Sequence, residues 1–212
     1  DPGTYRAHIY NTPQNITVSG TTASVSGGTV PAAQTSTFVN DAPGWLFTCA
    51  LDVKIEKDKG QAFTAKMQQQ VRQLTLVIEP KGGTMEKVAS VTGVLSGVAG
   101  TLNIENGEHG TPSNVALTFT KDASDGNWKA TVRLLGVTGA QQKLTGTIKF
   151  TGGSLVDLPL ASDLTADLSA FNTDKRNPFA LGGKVVETPT GAGFTATING
   201  WTPVEGDPVV AD

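Results

Sequence analysis

Along the run Trp45-Leu46-Phe47-Thr48-Cys49-Ala50-Leu51-Asp52-Val53-Lys54-Ile55-Glu56, apolar side chains recur at every second position while those between them turn polar toward the end. A period of two is the mark of a strand with one buried face. The same alternation is present over 5–10, 61–67, 71–79, 101–105, 115–120, 128–135, 144–150 and 194–201, and each run predicts a strand. Between them stand Asp58-Lys59-Gly60, Pro80-Lys81-Gly82-Gly83, Asn106-Gly107, Asp125-Gly126-Asn127 and Thr151-Gly152-Gly153. Each contains a residue that tolerates positive φ, so several neighbouring strands are expected to join as antiparallel hairpins. No strand-helix alternation is visible, which sets aside doubly wound sheets and α/β barrels.

One segment departs from period two. After Ser162-Asp163, which reads as an N-cap, Leu164, Leu168 and Phe171 recur at helical spacing and predict a short helix over 163–171. The pattern as a whole predicts an all-β chain of two consecutive antiparallel β-sandwich domains, 1–70 and 71–212, parted near the glutamine-rich Lys66-Met67-Gln68-Gln69-Gln70. Residues 1–70 are few for a seven-stranded sandwich, so strands upstream of Asp1 are expected to complete the first domain. The Gly-, Ala- and Pro-rich stretch 27–43 reads as a long loop.

Composition agrees with this picture. The 212 residues are 38% hydrophobic and only 17% charged, with 25 glycines and still more threonines, which favours strands and tight turns over helix. A net charge of -3 offers no basic field for gathering phosphates, so nucleic acid is not an expected partner. No apolar run approaches the roughly 18 residues of a membrane span, and the chain reads as soluble or already processed, any membrane tether lying upstream of Asp1. The single Cys49 excludes an intramolecular disulfide and reads as an apolar filler on the face shared by Trp45, Phe47 and Leu51.

The chemistry-bearing residues do not converge. Of the two histidines, His8 alternates onto the less apolar face of its strand, and His109, in Asn106-Gly107-Glu108-His109-Gly110, reads as part of a hairpin. Asp122-Ala123-Ser124-Asp125-Gly126-Asn127 begins like a calcium loop but lacks the glutamate six positions after the glycine that would complete it, and is expected to be a turn. Gly136-Val137-Thr138-Gly139 and Gly191-Ala192-Gly193 lack the lysine and following helix of a phosphate cradle. No G-x-S-x-G elbow occurs, so no catalytic, metal or cofactor-binding residues are assigned, no cofactor is expected, and the chain is read as no enzyme. At 6% aromatic content, with Trp45, Trp128 and Trp201 at the ends of apolar strand faces, a sugar platform of exposed rings is not expected.

From Val71 onward the sequence resembles the Bacteroidales fimbrillin superfamily, particularly the anchor and accessory subunit lipoproteins of minor-fimbria type. The carrying stretches are 71–78, Val94-Leu95-Ser96-Gly97-Val98-Ala99, the hairpin at Asp125-Gly126-Asn127-Trp128 leading to 131–137, the block 164–172, Asn177-Pro178-Phe179-Ala180-Leu181 and the closing Thr197-Ile198-Asn199-Gly200-Trp201. Pro2-Gly3-Thr4-Tyr5 followed by Tyr10-Asn11 is similar to the family's strand that enters after a Pro-Gly turn. The resemblance implies two transthyretin-like sandwiches, a lipoprotein precursor carried to the outer membrane, and a place in a surface fimbrium that serves adhesion. Cys49, inside a strand, does not match the family's lipid-modified cysteine.

A sheet edge with unpaired N–H and C=O groups can accept a strand from another chain. In a fimbrial subunit, Phe194, Ala196, Ile198 and Trp201, with the 202–212 tail, are the candidate strand-exchange segment. Expected partners are other fimbrial subunits and, beyond them, a host or bacterial surface glycan or protein, with membrane contact only through an upstream lipid anchor. The alternative is a surface lipoprotein that binds a glycan or protein ligand without polymerising.

Overall fold

The computed structural model describes residues 1–32, 34–80, 87–152, 155–190 and 193–204, with 186–190, 193–195, 197 and 199 described through their backbone. The Pro80 and Thr151 turns therefore lie partly, and the 205–212 tail wholly, outside the described residues. Among those residues the chain is strand and turn throughout. Its elements are β1 (Gly3–Tyr10), β2 (Ile16–Ser19), β3 (Thr22–Val25), β4 (Phe47–Ile55), β5 (Gln68–Gln69), β6 (Arg72–Glu79) and β7 (Val88–Asn103). They continue with β8 (His109–Lys121), β9 (Trp128–Leu134), β10 (Lys143–Phe150), β11 (Leu158–Asp163), β12 (Phe179–Thr190) and β13 (Gly193–Pro203).

The larger sheet is an all-β sandwich whose pairings come full circle. β7, β8, β9, β6, β12, β13, β11 and β10 are neighbours in that order, and β10 returns to pair with β7. Pairing is antiparallel except between β6 and β12 and between β11 and β13. Along β6, Leu74, Leu76 and Ile78 are buried while Gln73, Thr75 and Val77 are half exposed, as period two requires. With Leu95, Leu117 and Leu144 from neighbouring strands, these side chains form the main core.

β7 serves two partners in succession. Val88–Leu95 pairs with β10, whereas Thr101–Asn103 pairs with β3, which carries the β2–β3 hairpin. The change of partner is made at Gly97, where the register against β8 shifts and φ is +71°. A Cβ there would lie 2.3 Å from the Gln141 carbonyl oxygen, so only glycine fits the bend. A second apolar cluster, built on Leu46, Val71, Leu102, Ile104 and Leu135, lies at the β3 end of β7.

The remaining strands form a separate sheet in the order β1-β4-β5. It is seated through Leu46 and Val71, both fully buried in the second cluster, and through Arg6 and His8, whose side chains bond the Glu105 carboxylate beyond the end of β7. Phe47, Cys49, Leu51, Val53 and Ile55 share one face of β4, as their alternation predicts, but that face is only half buried. Tyr5 and Ile9 on β1 share it and are 45% and 40% exposed. Cys49 is accordingly half buried and not a core filler.

Two expected elements are absent. Residues 61–67 form no strand; only Gln68–Gln69 pairs with β4. The Gln61 side chain instead imitates a neighbouring peptide, its amide donating to the Lys54 carbonyl (2.9 Å) and accepting from the Glu56 N–H (2.7 Å). Residues 163–171 form overlapping turns and not a helix. The Leu168 N–H reaches four residues back to Leu164, but Ser169, Phe171 and Thr173 reach only three. Ser169 and Thr173 hydroxyls compete for the carbonyls of Ala166 and Ala170, and Arg72 takes those of Ala170 and Phe171. The spacing of Leu164, Leu168 and Phe171 still reports burial, because all three are fully buried.

Candidate functional site

Three surfaces carry polar or unpaired groups in quantity: a groove between the two sheets, an acidic turn beside the β6–β12 face, and the free edge of β1. The groove encloses about 1170 Å³, with 66–70 on one side and 172–176 on another. At its floor Lys175 donates to the Leu135 carbonyl (3.0 Å), to His109 Nε2 (2.9 Å) and to Gln70 Oε1 (3.4 Å). All three acceptors are uncharged, and no carboxylate bonds this ammonium among the described residues. Burial alone pulls the Lys175 amine down to about 8. Burial, then the neighbouring Lys175 charge, holds the His109 imidazole at about 4.

These contacts fix the histidine tautomer. His109 Nε2 is also 3.2 Å from the Leu135 carbonyl, but one ring nitrogen cannot donate there and accept from Lys175 together. With the amine charged and the ring neutral, Nε2 accepts and Nδ1 carries the proton. Gly136 makes room for this arrangement, since a Cβ there would fall 2.4 Å from the His109 ring and 2.6 Å from Asn172 Oδ1. Asn172 in turn pairs with both backbone groups of Val137, at 2.9 and 2.8 Å. His109 thus belongs to the start of β8 and to this junction, a role its place after Asn106-Gly107 did not suggest.

Nearby, Arg72 is buried without a carboxylate bonded to it among the described residues. It donates to the carbonyls of Asn177 (2.7 Å), Phe171 (2.7 Å) and Ala170 (3.3 Å), and lies 4.7 and 5.3 Å from the ring centroids of Phe179 and Phe171. Burial lowers its pKa from the ordinary guanidinium value. A signal for this role exists in the sequence, because Arg72 has the same parity as Leu74, Leu76 and Ile78. Lys175 has no comparable signal; its partners lie 105, 66 and 40 residues away.

The Asp122–Asn127 segment is the hairpin turn between β8 and β9. Lys129 fills the place a cation would take, bonding Asp122 at 2.6 Å and Asp125 at 2.9 Å. Its ammonium, with the Ser124 hydroxyl and N–H, holds the Asp122 carboxyl well below the usual range. Beside it a groove of about 750 Å³ runs over the polar face of β6, β9 and β12.

At the β1 edge, the Asn11 N–H donates to the Phe47 carbonyl, in register with the β1–β4 ladder. Antiparallel alternation then makes Ile9/Cys49, Ala7/Leu51 and Tyr5/Val53 the hydrogen-bonded pairs. The N–H and C=O groups of Thr4, Arg6, His8 and Tyr10 therefore point outward, and no other described strand pairs there. The strand-exchange candidates lie elsewhere. Phe194, Ala196, Ile198 and Trp201 are on β13, which pairs with β12 along its length and with β11 at Ala196 and Thr197. Ala196, Ile198 and Trp201 are buried, and the Trp201 indole donates to Ser162 Oγ at 2.9 Å.

The sequence profile of the family described as fimbrillin-A associated anchor proteins Mfa1 and Mfa2 matches residues 2–207. No curated protein sequence matches the chain. Among solved structures, a candidate adhesin from Bacteroides ovatus is similar over 100% of this chain and 77% of its own, with a TM-score of 0.60 at 17% identity. The fimbrial anchor protein Mfa2 from Porphyromonas gingivalis is similar over 98% of this chain and 78% of its own, with a TM-score of 0.55 at 13% identity.

Proposed function

Because the chain belongs to the fimbrillin-A associated anchor protein family, we propose that it is a cell-surface fimbrial subunit that joins a neighbouring subunit by strand addition at the free edge of β1. The family is one of fimbrial anchor proteins and not of enzymes. The observation that carries the proposal is the outward row of backbone groups at Thr4, Arg6, His8 and Tyr10 beside the half-exposed face of Tyr5, Ile9, Leu51 and Val53. Natural proteins seldom leave such an edge bare, because it is a template for another strand. An incoming strand would gain main-chain hydrogen bonds from the edge and apolar contact from the face.

The same reading assigns the outer membrane or the fimbrium as its station and other subunits as its partners. Exchange through Phe194, Ala196, Ile198 and Trp201 is the costlier route. It requires β13 to leave both β11 and β12 and Ala196 and Ile198 to leave the core, unless an equivalent strand replaces them at once.

Thr4→Pro deletes one outward N–H, and Ile9→Lys sets a charge on the exposed face, without touching a ladder bond to β4. The double variant is expected to melt like the unaltered protein and to enter surface fibres at least about tenfold less often, counted by immunogold labelling of cells. Unchanged incorporation would refute addition at this edge.

A further inference from the structure

We propose that the groove between the two sheets binds an acidic saccharide, whose carboxylate takes the Lys175 N–H now given to Gln70 Oε1, the longest of its three contacts at 3.4 Å. The groove has room for such a ligand, since about 1170 Å³ exceeds the roughly 300–1,000 Å³ of ordinary ligand pockets. Its charge has the right sign. Arg6, Lys66, Lys175 and Arg176 line it against Glu105 and Asp174, a local excess of two positive charges on a chain whose net charge is -3.

The fold itself has little use for a charge at Lys175. The ammonium is half-buried among neutral acceptors, an arrangement that costs free energy until an anion arrives. Removing it would be repaired locally. The His109 ring could shift its proton to Nε2 and donate to the Leu135 carbonyl already 3.2 Å away, leaving only the Gln70 amide, at the groove wall, to turn to water. A charge placed where an apolar side chain would be tolerated points to a partner that uses it.

The walls favour a sugar over an acidic peptide. Arg6 is engaged by Glu105 and Asp52, and Arg176 by Asp174, so the half-buried charge bonded by no carboxylate among the described residues is a single one. Gln68, Asn106 and Thr173 supply uncharged donors and acceptors suited to hydroxyls, whereas a run of carboxylates would meet Glu105 and Asp174. The groove shares Arg6 with β1, but Lys175 is not on that strand, so the two proposals are tested by different variants and either can fail alone.

The test is titration of the full chain with glucuronic acid, N-acetylneuraminic acid, glucose and an oligoglutamate peptide, followed by calorimetry. At least one acidic sugar is expected to bind tenfold or more tightly than glucose and the peptide, and Lys175→Met to lose tenfold or more while its melting midpoint stays or rises. In the unaltered protein, saturation with that sugar is expected to slow acylation of Lys175 at least fivefold relative to the other lysines, read by mass spectrometry. Acidic sugars that bind no better than glucose, a peptide that competes equally, or Lys175 left unprotected would each overturn the proposal. The protection measurement decides even if Lys175→Met unfolds.

Discussion

Replacing Arg72 by methionine tests how the segment 164–178 is held to the sandwich. The guanidinium donates to three carbonyls and lies against two aromatic rings. Hydrogen bonds from a charged donor contribute about 1.5–3 kcal/mol each, and the ring contacts about 1–2 kcal/mol together when desolvated. Opposing this is the cost of burying the cation, several kcal/mol, which the substitution relieves. The balance is set by what remains: the Phe171 and Asn177 carbonyls lose a donor at 2.7 Å, at about 1–3 kcal/mol apiece. A net loss of about 3 kcal/mol is expected. For a chain of this size a urea slope of about 3 kcal/mol per molar converts that loss to a midpoint about 1 M lower. Arg72→Lys should recover less than half of it, because a compact ammonium cannot fork among three carbonyls. Urea unfolding followed by tryptophan fluorescence reads the shift. A midpoint moved by less than about 0.3 M in both variants would refute the reasoning, since the carbonyls would then be served by solvent.

Acid should loosen the inter-sheet junction. With the folded His109 pKa at about 4 and the ordinary value at 6.5, the unfolded chain binds a proton that the folded chain refuses. The contribution is intact above the ordinary value and is lost as pH falls toward 4, about 1–2 kcal/mol once solvent screening is allowed for; His109→Gln should flatten the Tm-against-pH curve in that window. Gly97→Ala, forced to φ +71° with its Cβ 2.3 Å from the Gln141 oxygen, should destabilise by more than about 2 kcal/mol or prevent folding, whereas Gly107→Ala, with open space around it, should cost about 1 kcal/mol. Millimolar calcium should leave Tm unchanged, because Lys129 already occupies Asp122 and Asp125; a rise in Tm would show that the metal displaces it.

Period two was a good guide wherever a strand buries one face against the main core, as in β6 and β9. It reached only the end of β7, at 101–103, because Gly93, Gly97 and Gly100 interrupt the alternation before it, and was silent on β12, whose Gly182-Gly183 pair lies close to Val204 and Ile198. The helical spacing of Leu164, Leu168 and Phe171 located burial correctly but not conformation, because the backbone there is set by Arg72 and by serine and threonine hydroxyls. Residues 61–67 alternate without a partner to pair with, and a side chain, Gln61, takes the place of the missing ladder. The β1 edge was legible as a strand but not as an edge, since pairing order is not written in periodicity. Lys175 and His109 were beyond reach for the same reason: both gain their meaning from contacts made across many residues.

The closed round of pairings has a mechanical side. In a fibre under tension, a strand with neighbours on both sides must shear two rows of hydrogen bonds at once, whereas one at the margin can be unzipped bond by bond. The circuit from β7 through β10 contains no marginal strand, but β1 has β4 as its one paired strand among the described residues, with the Arg6 and His8 bonds to Glu105 as its side-chain ties to the sandwich. Pull delivered through β1 would therefore extend the small sheet first and spare the sandwich, giving each subunit a compliant hinge in series with a stiff body. Single-molecule stretching should show a low-force event ahead of a much larger one, and a single event at high force would count against that division.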